Sequence, residues 1–148
     1  MNTYGLPISA SLEMAKALSE LDQACTNLDA WSLKHYQDSI TAHHHVWLTQ
    51  DKSAVMVWMM AIDEAELLHF FVVPTHQKQG IGYYLLQYAL QAAKKAGALH
   101  MFLEVRASND KAIRLYQRCG LVLYGTRKHY YPTQTGEYED AWLMKKAL

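Results

Sequence analysis

The chain has 148 residues, of which 51% are hydrophobic and 19% are charged, and its net charge at pH 7 is zero. This length favours a single domain, and this composition excludes disordered, collagen-like and low-complexity chains. The longest apolar run, residues 54–62, has nine residues, whereas spanning a bilayer takes roughly 18–20. The two cysteines form no CxxC pair and no signal peptide is evident, so we expect a soluble, cytoplasmic protein with no membrane partner.

Charge is unevenly distributed along the chain. Residues 1–74 hold three Lys or Arg against nine Asp or Glu, whereas residues 75–148 hold eleven against five. A basic half suits an anionic ligand and an acidic half suits a cationic one. Solvated charges with no common face explain the pattern equally well, so the imbalance alone does not choose between these interpretations.

The first half of the chain predicts two helices followed by an antiparallel meander. Leu12, Ala15, Leu18 and Leu21 recur at three-residue steps, which predicts a helix over residues 10–24. A second, shorter helix is predicted over residues 31–40. Segments rich in β-branched and aromatic residues then predict three strands, with turns at 51–53 and 63–64 between them; the strands are residues 45–49, 54–62 and 66–73.

The second half predicts helices alternating with strands. Apolar residues recur at helical spacing from Ile81, and Gly97 ends this helix after two lysines in its last turn. A strand follows at 99–106, then a helix capped by Ser108 or Asn109 and closed by Gly120. Two last strands, 121–128 and 139–145, flank a loop at 130–136. This order predicts an α/β fold with a mixed, mostly antiparallel sheet flanked by helices.

A glycine-rich segment, Gln77-Lys78-Gln79-Gly80-Ile81-Gly82, lies between a predicted strand and a predicted helix. Backbone amides at a helix N-terminus attract anions, and glycines let a phosphate approach closely. The GK[ST] of a nucleotide P-loop is absent, and residues 83–85 (YYL) occupy the stretch where a dinucleotide fingerprint needs its third glycine. The motif alone therefore leaves two interpretations, an anion site or a structural tight turn.

Short sequence segments on either side of the glycine-rich segment distinguish between these interpretations. Val72-Val73-Pro74 precedes it, and the blocks LEVRASN, AIRLY, YYP and EDA follow at residues 103–109, 112–116, 130–132 and 139–141. In this combination the chain resembles the GNAT N-acetyltransferases. The resemblance is dense from about residue 64 to 144 and thin over residues 1–60, where Ala30-Trp31-Ser32 alone looks similar.

Within that family, the blocks resemble the enzymes that acetylate the N-terminal alanine of small-subunit ribosomal protein eighteen. The resemblance implies one N-acetyltransferase domain over residues 1–148, acetyl-CoA as cosubstrate, and direct transfer in a ternary complex. The partner it implies is the N-terminal segment of that ribosomal protein, with no metal and no direct nucleic-acid contact; it leaves the oligomeric state open.

The resemblance also implies roles for individual residues. Glu104 is implied as the general base and Tyr116 as the general acid. Ten residues are implied to contact the cofactor: Phe70, Phe71, Val72, Lys78, Gln79, Gly80, Ile81, Gly82, Tyr83 and Asn109. The chain departs from the family at Val73, where an acidic residue is frequent, and at Tyr83, where arginine is frequent. Lys78 is expected to compensate for the missing arginine.

Elementary chemistry is compatible with these roles. An α-ammonium titrates near pH 7.7–8.0, so a modest base exposes its lone pair, and a phenol with a pKa near 10 stays protonated until a thiolate leaves. Amides near Val72 would stabilise an oxyanion if a bulge freed them from the sheet. Each side chain also has a structural interpretation: Glu104 in an ion pair with a residue such as Arg106, and Tyr116 in the core with its hydroxyl satisfied.

Other candidate residues point to weaker hypotheses. His43 and His45 share a strand face but lack an evident third metal ligand, and Cys119, just before a helix-ending glycine, is interpreted as core. The apolar residues 56–60 are interpreted as strand core. Two alternative functions stay open: acetylation of another amine (a lysine side chain, a polyamine or a small molecule), and a non-catalytic acyl-CoA-binding or ribosome-associated module. The acidic first half favours a cationic peptide acceptor, because the family's target begins with alanine followed closely by arginines.

Overall fold

A computed structural model describes residues 4–148, which form seven strands and four helices. The strands are β1 (Ile8–Ser9), β2 (His45–Leu48), β3 (Ala54–Ala61), β4 (Glu64–Val72), β5 (His100–Arg106), β6 (Val122–Pro132) and β7 (Tyr138–Ala147). The helices are α1 (Ala15–Thr26), α2 (Leu33–Thr41), α3 (Ile81–Lys95) and α4 (Asp110–Arg118). None of these four helices is long and apolar enough to cross a membrane.

The strands follow the order β1-β2-β3-β4-β5-β7-β6 in one sheet. β4 and β5 run parallel, whereas the pairs β1–β2, β2–β3, β5–β7 and β6–β7 are antiparallel. The predicted α/β fold with a mixed, mostly antiparallel sheet is therefore confirmed. Internal contacts divide the chain into two units, one containing residues 4–59 and Leu68–Leu85 and the other Met60–Leu67 and Leu86–Leu148.

In the first unit, α1 and α2 pack on β2 and β3 through an apolar cluster. Its buried members are Ala15, Leu18, Tyr36, Val46, Leu48, Val55, Val57 and Phe71. Leu68 packs against the same cluster, although it lies three residues from Phe71 on β4 and a regular strand would point the two to opposite faces. β4 therefore departs from regular alternation between these residues, as a β-bulge does.

A buried carboxylate joins α1, α2 and β4 in this unit. Asp22 accepts hydrogen bonds from His69 Nε2 (2.7 Å), the Tyr36 hydroxyl (2.5 Å) and the Trp31 backbone N–H (3.1 Å), and also from the Thr26 hydroxyl. The ring of Trp31 stacks on His69 at a centroid distance of 4.9 Å. Burial alone would raise the pKa of Asp22, but the hydrogen bonds it accepts and the charge of His69 outweigh burial and lower it.

In the second unit, burial alternates along β5 and separates its two faces. Met101, Leu103 and Val105 are buried, whereas the residues between them are half-buried, and Glu104 lies on this more open face. The α4 helix begins after Asn109, whose side chain accepts a hydrogen bond from the Ala112 N–H at 3.3 Å. Of the two predicted caps, Ser108 and Asn109, the structure therefore uses Asn109.

The structure differs from the prediction at the turn after β3, at the loop before β7 and by one additional strand. β4 begins at Glu64, so the turn after β3 lies at residues 62–63, and β1 was not predicted. The segment Tyr130-Tyr131-Pro132 lies in β6, and the loop that follows is 133–137. β6 continues through this segment because residues left unpaired at shifts in its register with β7 do not end the pairing. One such shift lies between Arg127 and Tyr131. Pro132 ends the strand, where a missing N–H is tolerated.

Candidate active site

The glycine-rich loop of the first unit is held between the end of β4 and the start of α3. Gln77 Nε2 donates to the Val72 carbonyl at 3.1 Å, and the Val73 N–H donates to the Ser53 carbonyl at 2.7 Å. The first turn of α3 begins at Ile81, and Gly82 lies within it. Backbone N–H groups in the first turn of a helix have no carbonyl one turn earlier and lie at the positive end of the dipole. This end of α3 therefore suits an anion.

The loop adopts an unusual backbone conformation. Lys78 has a φ of +63° and Gly80 a φ of +83°, so left-handed residues stand on both sides of Gln79. A Cβ added at Gly80 would meet no described atom within 4 Å, so this glycine is required for its φ angle and the space beside it is open. An open loop with a cation and a helix N-terminus fits the pyrophosphate of a coenzyme A thioester.

The three strand residues implied in cofactor contact differ in burial. Phe71 is 7% exposed and belongs to the apolar cluster, while Phe70 and Val72 are half-buried. The Phe71 side chain therefore serves packing, so at this residue β4 offers a ligand its backbone rather than its side chain. Lys78, Gln79 and Gly80 are exposed, Ile81 is buried, and Tyr83 is 38% exposed.

In the second unit, the carboxylate of Glu104 forms an ion pair. Its Oε1 lies 2.9 Å from Arg127 Nε on β6. Arg106, named above as a candidate partner, instead pairs with Glu139 at 3.1 Å and donates to the Pro132 carbonyl at 2.8 Å. The partner is Arg127 because β6 and β5 both flank β7, and their register places Arg127 diagonally across from Glu104.

A second carboxylate, Glu66 on β4, belongs to the same electrostatic environment. Burial raises the pKa of Glu66, the charge of Glu104 raises it further, and the charge of Arg127 lowers it. The charges of Glu104 and Arg127 thus act on Glu66, while the ion pair itself joins Arg127 to Glu104. Sequence patterns did not identify Arg127 or Glu66, because their relation to Glu104 arises from strand register rather than from spacing along the chain.

Tyr116 lies on the buried side of α4 and is 6% exposed. Burial raises the pKa of its phenol, and negative charge on Tyr131 and Cys119 would raise it further. The hydroxyl therefore stays protonated at any working pH. Asn109 is exposed, and its carbonyl oxygen caps α4 while its amide group keeps two N–H donors.

The remaining candidates pack against other side chains. Burial raises the pKa of Cys119 to about 11, against the opposing charges of Arg118 and Lys146, which agrees with its interpretation as core. His45 stacks on Trp58 with ring centroids 3.9 Å apart. Among residues 4–148, no group of three His, Cys, Asp or Glu side chains is placed to hold a metal ion.

The implied site residues are divided between the two units. Phe70, Phe71, Val72 and the six residues from Lys78 to Tyr83 fall in the first, and Glu104, Asn109 and Tyr116 fall in the second. Within the first unit, the Gln77 side chain directly links the end of β4 to the loop.

Two curated relatives of this chain carry the same enzyme name. The [ribosomal protein bS18]-alanine N-acetyltransferase (RimI) of Escherichia coli strain K12 is 40% identical over 99 residues, 66% of either sequence. The Haemophilus influenzae enzyme of the same name is 37% identical over 83 residues, 56% of either sequence. In these matches the chain spans about two thirds or less of the length of its curated relatives.

Structural and family comparisons extend the match. The crystal structure of the ribosomal-protein-S18-alanine N-acetyltransferase from Escherichia coli superposes with a TM-score of 0.87 and 30% identity, covering 96% of this chain and 92% of that one. The model of the acetyltransferase (GNAT) family matches residues 14–121, well over half of the chain. The chain therefore belongs to the acetyltransferase (GNAT) family.

Proposed function

We propose that residues 1–148 act as a single N-acetyltransferase domain that transfers acetyl from acetyl-CoA to the α-amine of the N-terminal alanine of ribosomal protein bS18. The observation that carries this proposal is the 30% identity and TM-score of 0.87 to the Escherichia coli enzyme named for that reaction, over 92% of its chain. The N-terminal segment of that ribosomal protein is then the partner, and the reaction takes place in the cytoplasm.

Acetyl-CoA supplies an acetyl group already activated as a thioester. Its pyrophosphate is assigned to the N-terminal end of α3 and to Lys78, since a dipole and a cation both favour negative charge there. The backbone of residues 70–72 is assigned to the pantetheine, and the side-chain amide of Asn109 is assigned as a further donor. These assignments are supported by the open space beside Gly80 and the exposure of the loop.

Glu104 takes the proton of the acceptor amine. The nitrogen lone pair then forms a bond to the thioester carbonyl carbon, and the carbon–sulfur bond breaks with its electron pair moving to sulfur. The second proton that the nitrogen must lose to become an amide restores the phenol of Tyr116 after that phenol has protonated the sulfur. Arg127 Nε occupies Oε1 of Glu104, so we assign the other carboxylate oxygen, Oε2, to the amine. Because Arg127 holds one oxygen of the Glu104 carboxylate, the orientation of the carboxylate is fixed. This lowers the entropic cost of aligning Oε2 with the amine nitrogen.

Tyr116 gives its proton to the departing sulfur. Burial makes its phenol a weaker acid than in water, which on its own opposes the transfer. The same burial raises the pKa of a thiol, because a thiolate is as poorly solvated there as a phenolate. The two shifts offset each other, so the transfer remains feasible.

One assay tests this function. Coenzyme A release is measured with acetyl-CoA and a hexapeptide carrying the N-terminal sequence of bS18. The controls are the same hexapeptide with a blocked N-terminus, and that blocked peptide with a free lysine added. Turnover confined to the free N-terminus is expected. Turnover with the lysine peptide would favour another amine, and binding of acetyl-CoA without turnover on any amine would favour a non-catalytic module.

A further inference from the structure

The N-terminal segment of the chain contacts the glycine-rich loop directly. The hydroxyl of Tyr4 donates a hydrogen bond to the backbone carbonyl of Gln79 at 2.5 Å. The ring of Tyr4 packs against the ring of Tyr84, in the first turn of α3, with centroids 5.4 Å apart. The hydroxyl of Tyr84 in turn donates to the carbonyl of Gly5. Three contacts therefore join residues 4–5 to the loop and to the helix that follows it.

This segment is itself anchored within the first unit. Gly5 has a φ of +67°, and a Cβ there would come within 2.5 Å of Gln50 Nε2. The same Nε2 donates to the carbonyl of Leu6 at 3.1 Å, and Ile8 then pairs with Leu48 in the sheet. Tyr4 therefore approaches the loop from a fixed base rather than from a free end.

The bond to Gln79 determines the orientation of one peptide group. In a trans peptide the carbonyl of one residue and the N–H of the next point in opposite directions. Because the Gln79 carbonyl points to Tyr4, the Gly80 N–H points away from Tyr4. The conformation before Gln79 is not one the chain adopts by default, since Lys78 holds a left-handed φ of +63° that is unfavourable for a residue with a Cβ.

We propose that Tyr4 is a positioning residue for the acyl-CoA loop, which orients the Gly80 N–H toward the pyrophosphate of the bound thioester. This inference rests on the proposed function, because it assigns the loop to that ligand. It gives the N-terminal segment a role in cofactor affinity, because the bond from Tyr4 orients the peptide group that joins Gln79 to Gly80.

The test compares Tyr4→Phe with a matched control, Tyr138→Phe, whose exposed tyrosine lies on β7 in the other unit. Tyr4→Phe keeps the ring that packs on Tyr84 and removes the hydroxyl that donates to Gln79. Dissociation constants are measured by calorimetry for acetyl-CoA, and KM is measured for acetyl-CoA and for S-acetyl-pantetheine, which has no pyrophosphate.

Losing one hydrogen bond that orients the loop should raise the Kd and KM for acetyl-CoA by about 2- to 10-fold. The KM for S-acetyl-pantetheine should not rise, kcat should change less than KM, and Tyr138→Phe should match the wild type. An unchanged Kd for acetyl-CoA in Tyr4→Phe, or equal losses with both thioesters, would overturn the role of Tyr4. Failure of the wild type to bind acetyl-CoA would overturn the proposed function as well, so the two failures are distinguishable.

Discussion

Replacing Glu104 with glutamine removes the proposed base while keeping its shape and its ability to accept a hydrogen bond from Arg127. The chain offers a matched control in Glu139→Gln. Both carboxylates are paired with an arginine in the second unit, at 2.9 and 3.1 Å, and their side chains are 27% and 21% exposed. Partly exposed pairs contribute no more than about 1 kcal/mol. The two variants should therefore lose similar, small amounts of stability, and only Glu104→Gln should lose activity.

The size of the loss and its pH dependence follow from the chemistry of the acceptor. Removing a general base lowers kcat by about 10²–10⁴-fold. With a pKa near 7.7–8.0, about 10–15% of an α-amine is unprotonated at pH 7 and about 90% at pH 9. Glu104→Gln should therefore recover about six- to tenfold relative to wild type between these pH values, because more acceptor arrives already deprotonated.

The assay is coenzyme A release at saturating acetyl-CoA from pH 6.5 to 9, with urea unfolding of each variant at pH 7. A loss of kcat that is the same at every pH would mean that Glu104 orients the acceptor or supports β5 instead of taking its proton. An equal loss of activity in Glu139→Gln would refute the reasoning altogether, since the effect would then belong to any carboxylate–arginine pair of this unit.

Tyr116→Phe should lower kcat by about 10²–10⁴-fold with the Kd for acetyl-CoA unchanged; a variant that loses about 1–3 kcal/mol of stability in urea but keeps its single-turnover rate would assign Tyr116 to the core instead. Gly80→Ala and Gly136→Ala place a side chain at nearly the same φ, +83° and +85°, with no described atom within 4 Å of either Cβ. Both should cost about 1 kcal/mol of stability, but calorimetry should find weaker acetyl-CoA binding in Gly80→Ala alone. Asp22→Ala should cost about 3–5 kcal/mol, because it leaves buried donors without an acceptor, whereas Asp38→Ala breaks a surface pair and should cost about 0.3–0.5 kcal/mol in the same urea titration. Since the pKa of Asp22 is lowered in the folded state, the stability that its charge contributes should be complete above its unfolded value near 3.8 and be lost as pH falls through the lower, folded-state value; an advantage over Asp22→Ala that grows as pH falls below 3.8 would contradict this.

Elements with local stop and start signals were predictable from the sequence. The helix from Ile81 to Lys95 and its end near Gly97 agree with the spacing of apolar residues and with a glycine at a φ of +101°. Asn109 caps α4 as predicted. These features depend on residues within four positions of one another, which is the range over which sequence patterns carry information.

Features that depend on strand register were not predictable in the same way. Arg106 stands two residues from Glu104 on the same face of β5 and was a reasonable partner, yet Arg127 reaches Glu104 across β7. Likewise, no periodicity relates Tyr4 to Gln79, which lie 75 positions apart. Contacts of this kind are decided by which strands become neighbours, so the residues that surround the proposed base and the loop emerged only with the fold.

The irregular course of β6 has a consequence for solubility. In the described part of the sheet β6 pairs with β7 alone, so its outer edge presents eleven residues of backbone to which another chain could add a strand. An extra residue at Tyr124 and a left-handed turn at His129 (φ +51°) break the edge into short pieces, with Lys128 between them and Pro132 at its end. No straight run long enough to template an intermolecular sheet remains. Deleting the extra residues to regularise this strand would therefore expose a continuous edge, and the protein would become prone to aggregation.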